Sequence, residues 1–167
     1  MAATYNNLYL DARKRLREAG VEGAQLEARE LVCCAAGKSR EQFYRDMALY
    51  ASDPVEEKLA ELLERRLAGE PVAYLIGEWE FYGLGLDITP DVLIPRMDTE
   101  VLAERAILLA RAAGEGARVL DLCAGSGCVG LAVAANVPGC RVVLADVSEA
   151  ALRLCKQNVR RNELNAR

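Results

Sequence analysis

Val119-Leu120-Asp121-Leu122-Cys123-Ala124-Gly125-Ser126-Gly127-Cys128-Val129-Gly130 is the stretch whose reading decides the fold of this chain. A short apolar segment, 118–122, runs into a glycine turn at 123–127 and then into a helical stretch, 129–136, that Pro138-Gly139 breaks. A second apolar segment, 141–145, ends in Asp146, and Ser148 is placed to cap a last helix reaching about Asn162. Before the first segment, 101–113 has helical spacing. Helix, strand, helix, strand, helix is the opening of a parallel α/β sheet of the Rossmann-like kind. Two strands do not make a stable open sheet. The expectation is therefore the start of an α/β domain, truncated at Arg167.

The loop carries the chemistry. Gly125 and Gly127 let the backbone turn sharply and approach a ligand closely. The helix behind them aims unpaired N–H groups at whatever sits there. Asp146 is placed to accept hydrogen bonds from a ribose diol. Two ligands fit. Gly125, Gly127 and Gly130 satisfy GxGxxG, the dinucleotide fingerprint, with Asp146 at a suitable distance. Asp121 favours the other ligand, because a carboxylate just before the turn repels a pyrophosphate. S-adenosylmethionine carries a sulfonium and an ammonium and no phosphate. It is the expected cofactor, with Asp121, Cys123, Ala124, Gly125, Ser126, Gly127 and Asp146 as candidate binding residues. The bland alternative is a tight βα turn with no ligand; the order acid, glycine loop, helix, strand, acid weighs against it.

Upstream, residues 1–69 read as a small all-α bundle. Leu8, Ala12, Leu16 and Ala19 recur at helical spacing before Gly20, and 24–36 is a second striped segment closed by Gly37. Ser39 caps a short third helix. Asp53-Pro54-Val55-Glu56 supplies a cap, a first-turn proline and a capping-box acid for a fourth, which carries Leu59, Leu62, Leu63 and Leu67. Residues 70–97 read as a linker with its own structure: Leu84, Leu86 and Ile88 alternate beside Gly83 and Gly85 as in a β-hairpin, and Pro90 and Pro95 frame an extended run. Residues 98–167 are the start of the Rossmann-like domain.

Composition narrows the classes. Hydrophobic residues make up 52 % of the 167 and aromatics 5 %, so the core is built from Ala, Leu and Val. The net charge of −4 gives no electrostatic footprint for wrapping bare nucleic acid. No apolar run approaches the roughly 18 residues of a membrane span, and residues 1–9 lack an apolar signal core. The six cysteines form no CxxC pair and there is no histidine, so neither a zinc site nor any other metal site is expected. Cysteines in apolar runs point to a reducing cytoplasm. The absence of histidine removes imidazole as a base from this stretch of chain.

Three motifs, taken in order, resemble the HemK/PrmC proteins. Glu70-Pro71-Val72-Ala73-Tyr74-Leu75-Ile76-Gly77, followed by Phe81-Tyr82-Gly83, resembles the family's interdomain start. Val92-Leu93-Ile94-Pro95-Arg96-Met97-Asp98-Thr99-Glu100 resembles its linker signature, with Met97 where the family usually has Pro, and 119–130 resembles its cofactor loop. The resemblance implies methylation, from S-adenosylmethionine, of the side-chain amide N5 of the glutamine in the Gly-Gly-Gln motif of peptide chain release factors, which would be the protein partner. The family's Asn-Pro-Pro-Tyr motif, which holds the acceptor nitrogen by positioning rather than by a strong base, is not among residues 1–167. No catalytic residue is therefore assigned, and the chain by itself is expected to be inert. Arg96 and Thr99 are candidate linker contacts to the site; their bland readings are a salt-bridge partner and the cap of the next helix. Trp79 and Phe81 read as packing, and the basic groups 13–17 and Arg153, Lys156, Arg160 and Arg161 as solvated helix faces. The competing functions are an adenine-N6 methyltransferase acting on nucleic acid and a non-catalytic binding module.

Overall fold

A computed structural model, describing residues 3–164, opens on a helix that the sequence starts with a side-chain cap. The Thr4 hydroxyl accepts the Asn7 N–H at 3.2 Å, and α1 runs Tyr5–Glu18. Helix α2, Ala24–Ala36, stops at Gly37, whose φ of 61° is the left-handed conformation that closes helices. Helix α3, Arg40–Asp46, begins with a full capping box between Ser39 and Gln42. Helix α4 spans Asp53–Leu67 and the short α5 spans Val72–Ile76. Ala12 and Leu16 of α1, Ala28, Leu31 and Val32 of α2, Phe43 of α3 and Leu63 of α4 are buried. The chain divides into two compact units, Met1–Ile76 and Gly77–Arg167.

One cap differs from the sequence reading. Ser52, not Asp53, precedes α4, and no side chain caps it. Glu56 is drawn away from its own helix, its carboxylate accepting the Ala3 N–H at 3.0 Å. Residues 70–97 are shared out: α5 lies in the first unit and the hairpin in the second.

In the second unit, β1 (Glu78–Phe81) and β2 (Leu84–Asp87) form an antiparallel hairpin with Phe81 opposite Leu84. The two-residue turn has positive φ at both positions, 50° at Tyr82 and 77° at Gly83, the geometry that matches strand twist. Helix α6 spans Asp98–Ala113, β3 Arg118–Leu122, α7 Cys128–Asn136, β4 Arg141–Ala145 and α8 Glu149–Arg161. Strands β3 and β4 pair in parallel, Asp121 beside Leu144. Ile107 and Ala110 of α6 pack with Val133 and Val137, and Tyr82, Val119 and Val142 lie against that cluster. The other face of the two-stranded sheet exposes Leu120, Leu122 and Val143. Helix α6 starts at Asp98 with Met97 before it and no side-chain cap, so Thr99 lies in the first turn and is not the cap. Ser148 does cap α8, accepting the Ala151 N–H at 3.3 Å.

Candidate functional site

The turn between β3 and α7 is tightened by three left-handed residues, Cys123 (φ 63°), Gly125 (φ 56°) and Gly127 (φ 83°). Cys123 is the one without a glycine's freedom, and it is exposed. The Ala124 N–H donates to the Ala145 carbonyl at 3.0 Å, extending the β3–β4 pairing into the loop, and the Gly127 N–H donates to the Ala124 carbonyl at 2.7 Å. The glycines serve different ends. A Cβ on Gly125 would meet nothing within 4 Å, so that position faces open space. One on Gly127 would lie 3.2 Å from Leu144 and 3.3 Å from the Cys155 sulfur, and one on Gly130 2.3 Å from Leu144. Gly125 therefore fits close approach by a ligand, while Gly127 and Gly130 let helix and strand close on one another.

Both acids hold the loop. The Asp146 carboxylate accepts the Gly125 N–H on Oδ2 and the Ser148 N–H on Oδ1, each at 2.9 Å. Those bonds, Ser148's first, hold its carboxyl below the usual carboxylate range. The Asp121 Oδ2 accepts the Gly130 N–H at 2.8 Å. Burial pushes the Asp121 carboxyl up; the Gly130 N–H opposes this and the charge of Asp146 adds to it. Each oxygen of Asp146 keeps a lone pair beyond its backbone bond.

From the other side, α8 grips two successive loop carbonyls. The Cys155 thiol donates to Gly125 O at 3.1 Å, and burial pushes that thiol up to about 11, so it keeps its proton at neutral pH. The Asn158 amide donates to Ser126 O at 3.0 Å. Among the described residues the Ser126 N–H has no acceptor, unlike those of Gly125 and Gly127. Sequence reasoning missed Asn158 and Cys155. The signal was there: Ala151, Leu154, Cys155 and Asn158 are buried at the spacing of one helix face, and Asn158 occupies an apolar seat. Arg161, read as solvated, is also a partner. It pairs with Asp87, and with Glu78 at 2.7 Å.

Arg96 and Thr99 make no polar bond to the loop, 121–130, among the described residues; Arg96 is exposed and Thr99 is half-buried. The salt bridge considered for Arg96 is likewise not formed among them. An apolar cleft of about 220 Å³ lies behind the loop between α7, β4 and α8, bordered by Gly130, Leu144, Leu152 and Val159. Among the described residues no His, Cys, Asp or Glu group could hold a metal, and no helix is long and apolar enough to cross a membrane. The arrangement offers a turn that is exposed at Cys123 and open at Gly125, with two carboxylates beside it, suited to a small cationic ligand with hydroxyls.

Comparison with known proteins gives a consistent family. The PrmC N-terminal domain matches residues 7–77, and the methyltransferase small domain matches 85–167. The chain is 39 % identical over 140 residues to the release factor glutamine methyltransferase of Coxiella burnetii, covering 84 % of this chain and 50 % of that protein. It is 45 % identical over 143 residues to the protein of the same name from Bordetella pertussis, covering 82 % and 50 %. For that of Geobacter sulfurreducens the figures are 39 % over 150 residues, 90 % and 52 %. The chain spans about half the length of the curated relatives it matches.

Proposed function

Because the chain belongs to the HemK/PrmC family of release factor glutamine methyltransferases, we propose that it is the S-adenosylmethionine-binding part of an enzyme that methylates the N5 amide of the Gly-Gly-Gln glutamine in peptide chain release factors. The observation that carries this reading is the pair of carboxylates, Asp121 and Asp146, bonded to amides at either side of one glycine turn. Asp146 fits the ribose of either ligand, but a pyrophosphate laid over that turn is repelled by Asp121, whereas a sulfonium and an ammonium are attracted by it. The lone pairs left on Asp146 suit a ribose diol, and Gly125, open where a side chain would stand, suits close approach.

The chemistry supplied by the bound methyl donor is a methyl group on a positively charged sulfur, electrophilic without further activation. The residues of this chain hold and orient. Asp146 keeps the loop amide of Gly125 in place and faces hydroxyls; Asp121 fixes the start of α7 through Gly130 and lends negative charge to the cationic end. Residues 1–167 supply no imidazole to act as a base, so what they contribute to the rate is positioning. The acceptor amide would be held by an Asn-Pro-Pro-Tyr motif, which residues 1–167 do not contain. The helical domain would help to hold the release factor, and the cysteine-rich, disulfide-poor sequence suits a reducing cytoplasm.

The test is methyl transfer by the full-length protein, with release factor and DNA offered as alternative acceptors. Transfer to the release factor glutamine supports the reading, and transfer to adenine overturns it in favour of the competing methyltransferase class. Residues 1–167 alone should bind S-adenosylmethionine and transfer nothing.

A further inference from the structure

Asn158 has none of its surface exposed, yet it is a strongly polar side chain in a helix face otherwise filled by Ala151, Leu154 and Cys155. Its hydrogen-bonding groups are engaged in one geometry. Oδ1 accepts the Asp87 N–H at 2.7 Å, and Nδ2 donates to the Asp87 carbonyl at 3.1 Å and the Ser126 carbonyl at 3.0 Å. One side chain thus reads both backbone groups of the last residue of β2 and reaches a loop carbonyl 32 positions up the chain. For burial alone a leucine would serve in this seat without desolvating an amide.

The Ser126 carbonyl shares its peptide plane with the Gly127 N–H, and the plane is rigid. Asn158 holds its oxygen end, and the Ala124 carbonyl takes its N–H end at 2.7 Å. One plane earlier, Cys155 holds Gly125 O at 3.1 Å, which in a trans peptide turns the Ser126 N–H away from α8. That N–H has no acceptor among the described residues. The strength of the two grips is unequal, since a thiol is a weak donor and an amide a good one.

We propose that Asn158 is a positioning residue for the methyl donor: it locks the Ser126–Gly127 peptide of the cofactor loop to the end of the hairpin, so that the loop presents one backbone geometry. This rests on the reading of the loop as an S-adenosylmethionine site. Its consequence is that donor affinity depends on β2, a strand outside the loop. Arg161 and Asn162 also bind the hairpin, through Glu78, Asp87 and Gly85 O, but neither bonds to the loop. They are the natural controls.

The experiment titrates the 167-residue chain and its variants with S-adenosylmethionine by calorimetry and follows backbone amide exchange by NMR. Asn158→Asp keeps the size and the acceptor for the Asp87 N–H but turns an oxygen on two carbonyls. Leu154→Ala removes a neighbouring buried side chain and no bond to the loop. Asn162→Ala cuts the hairpin at Gly85 alone. The expected result for Asn158→Asp is affinity weaker by about tenfold, the worth of one well-placed hydrogen bond, with faster exchange at Gly125 and Gly127. Leu154→Ala and Asn162→Ala should stay within about threefold of the parent. Parent-like affinity and exchange in Asn158→Asp overturns the proposal. So does an equal loss in Leu154→Ala, because the effect is then one of general stability. If the parent chain does not bind S-adenosylmethionine, the functional reading fails, and the exchange rates at Gly125 and Gly127 still decide whether Asn158 orders the loop.

Discussion

Gly130→Ala sets two terms of opposite sign against each other at the start of α7. Alanine favours a helix over glycine by up to about 1 kcal/mol. The new methyl, however, would stand 2.3 Å from Leu144 Cδ2, 3.0 Å from Asp121 Oδ2 and 3.1 Å from Val142 Cγ1. Ordinary contact begins at 3.4 Å, so the Leu144 branch has to yield by about 1 Å. Overpacking of this kind costs about 1–3 kcal/mol. Leu144 borders the 220 Å³ cleft and has room to swing, which places the cost in the lower half of that range. The net expectation is destabilisation of the second unit by about 1 kcal/mol. The decisive measurement is the same change in a Leu144→Ala background, by urea unfolding with amide exchange along α7 as the local probe. With the leucine branch gone, Gly130→Ala should be neutral or stabilising, giving a coupling energy of at least about 1 kcal/mol. Equal destabilisation in both backgrounds refutes the reasoning and moves the strain to the Asp121 carboxylate.

Asp146→Ala should weaken S-adenosylmethionine binding by about tenfold or more, since it removes both the hydroxyl acceptor and the anchor of Gly125; unchanged affinity by calorimetry would sink the site assignment. Asp46, gripped by Arg45 and Lys38, has its carboxyl lowered from 3.8 to about 2. A lowered folded-state value means that this contribution is present above about pH 4 and is lost as pH falls toward 2, so acid unfolding of the helical unit should be less steep in Asp46→Asn, as circular dichroism will show. Amide exchange in the isolated 167-residue chain should be slow within 5–69, where contacts are local, and faster within 118–162, where one sheet face is bare; uniform protection would mean that self-association covers that face.

The elements of the second unit were legible because each is bounded by residues that act locally. Strands 118–122 and 141–145 are short apolar runs closed by a glycine turn and by Asp146, and Ser148 caps the helix behind the second of them. What escaped was decided by contacts distant in sequence. Glu56 looks like its own helix's capping acid and instead takes the Ala3 N–H. Thr99 looks like a cap and sits two residues past the cap position, because α6 already begins at Asp98. Helix α5 is five residues long, too short to show a period. At the site, the two acids were visible as acids, but their bonds to the Gly125 and Gly130 amides were not, since those need the loop's folded path. Asn158 hid in a polar-looking run, Lys156-Gln157-Asn158, although its seat on the buried face follows from counting back to Cys155, Leu154 and Ala151.

The hairpin turn bears on how this protein can be engineered. Tyr82 holds a left-handed backbone that asparagine or glycine would adopt at less cost, so a consensus-minded design would replace it. Its ring, though, lies against the Ile107–Val133 cluster, and its N–H donates to Glu100 at 3.0 Å. Exchanging the residue for its backbone preference would surrender aromatic cover over α6 and α7, a loss of the same order as the strain relieved. Thermostabilisation by turn optimisation is therefore closed at this position, and the productive targets are surface sites whose side chains cover nothing.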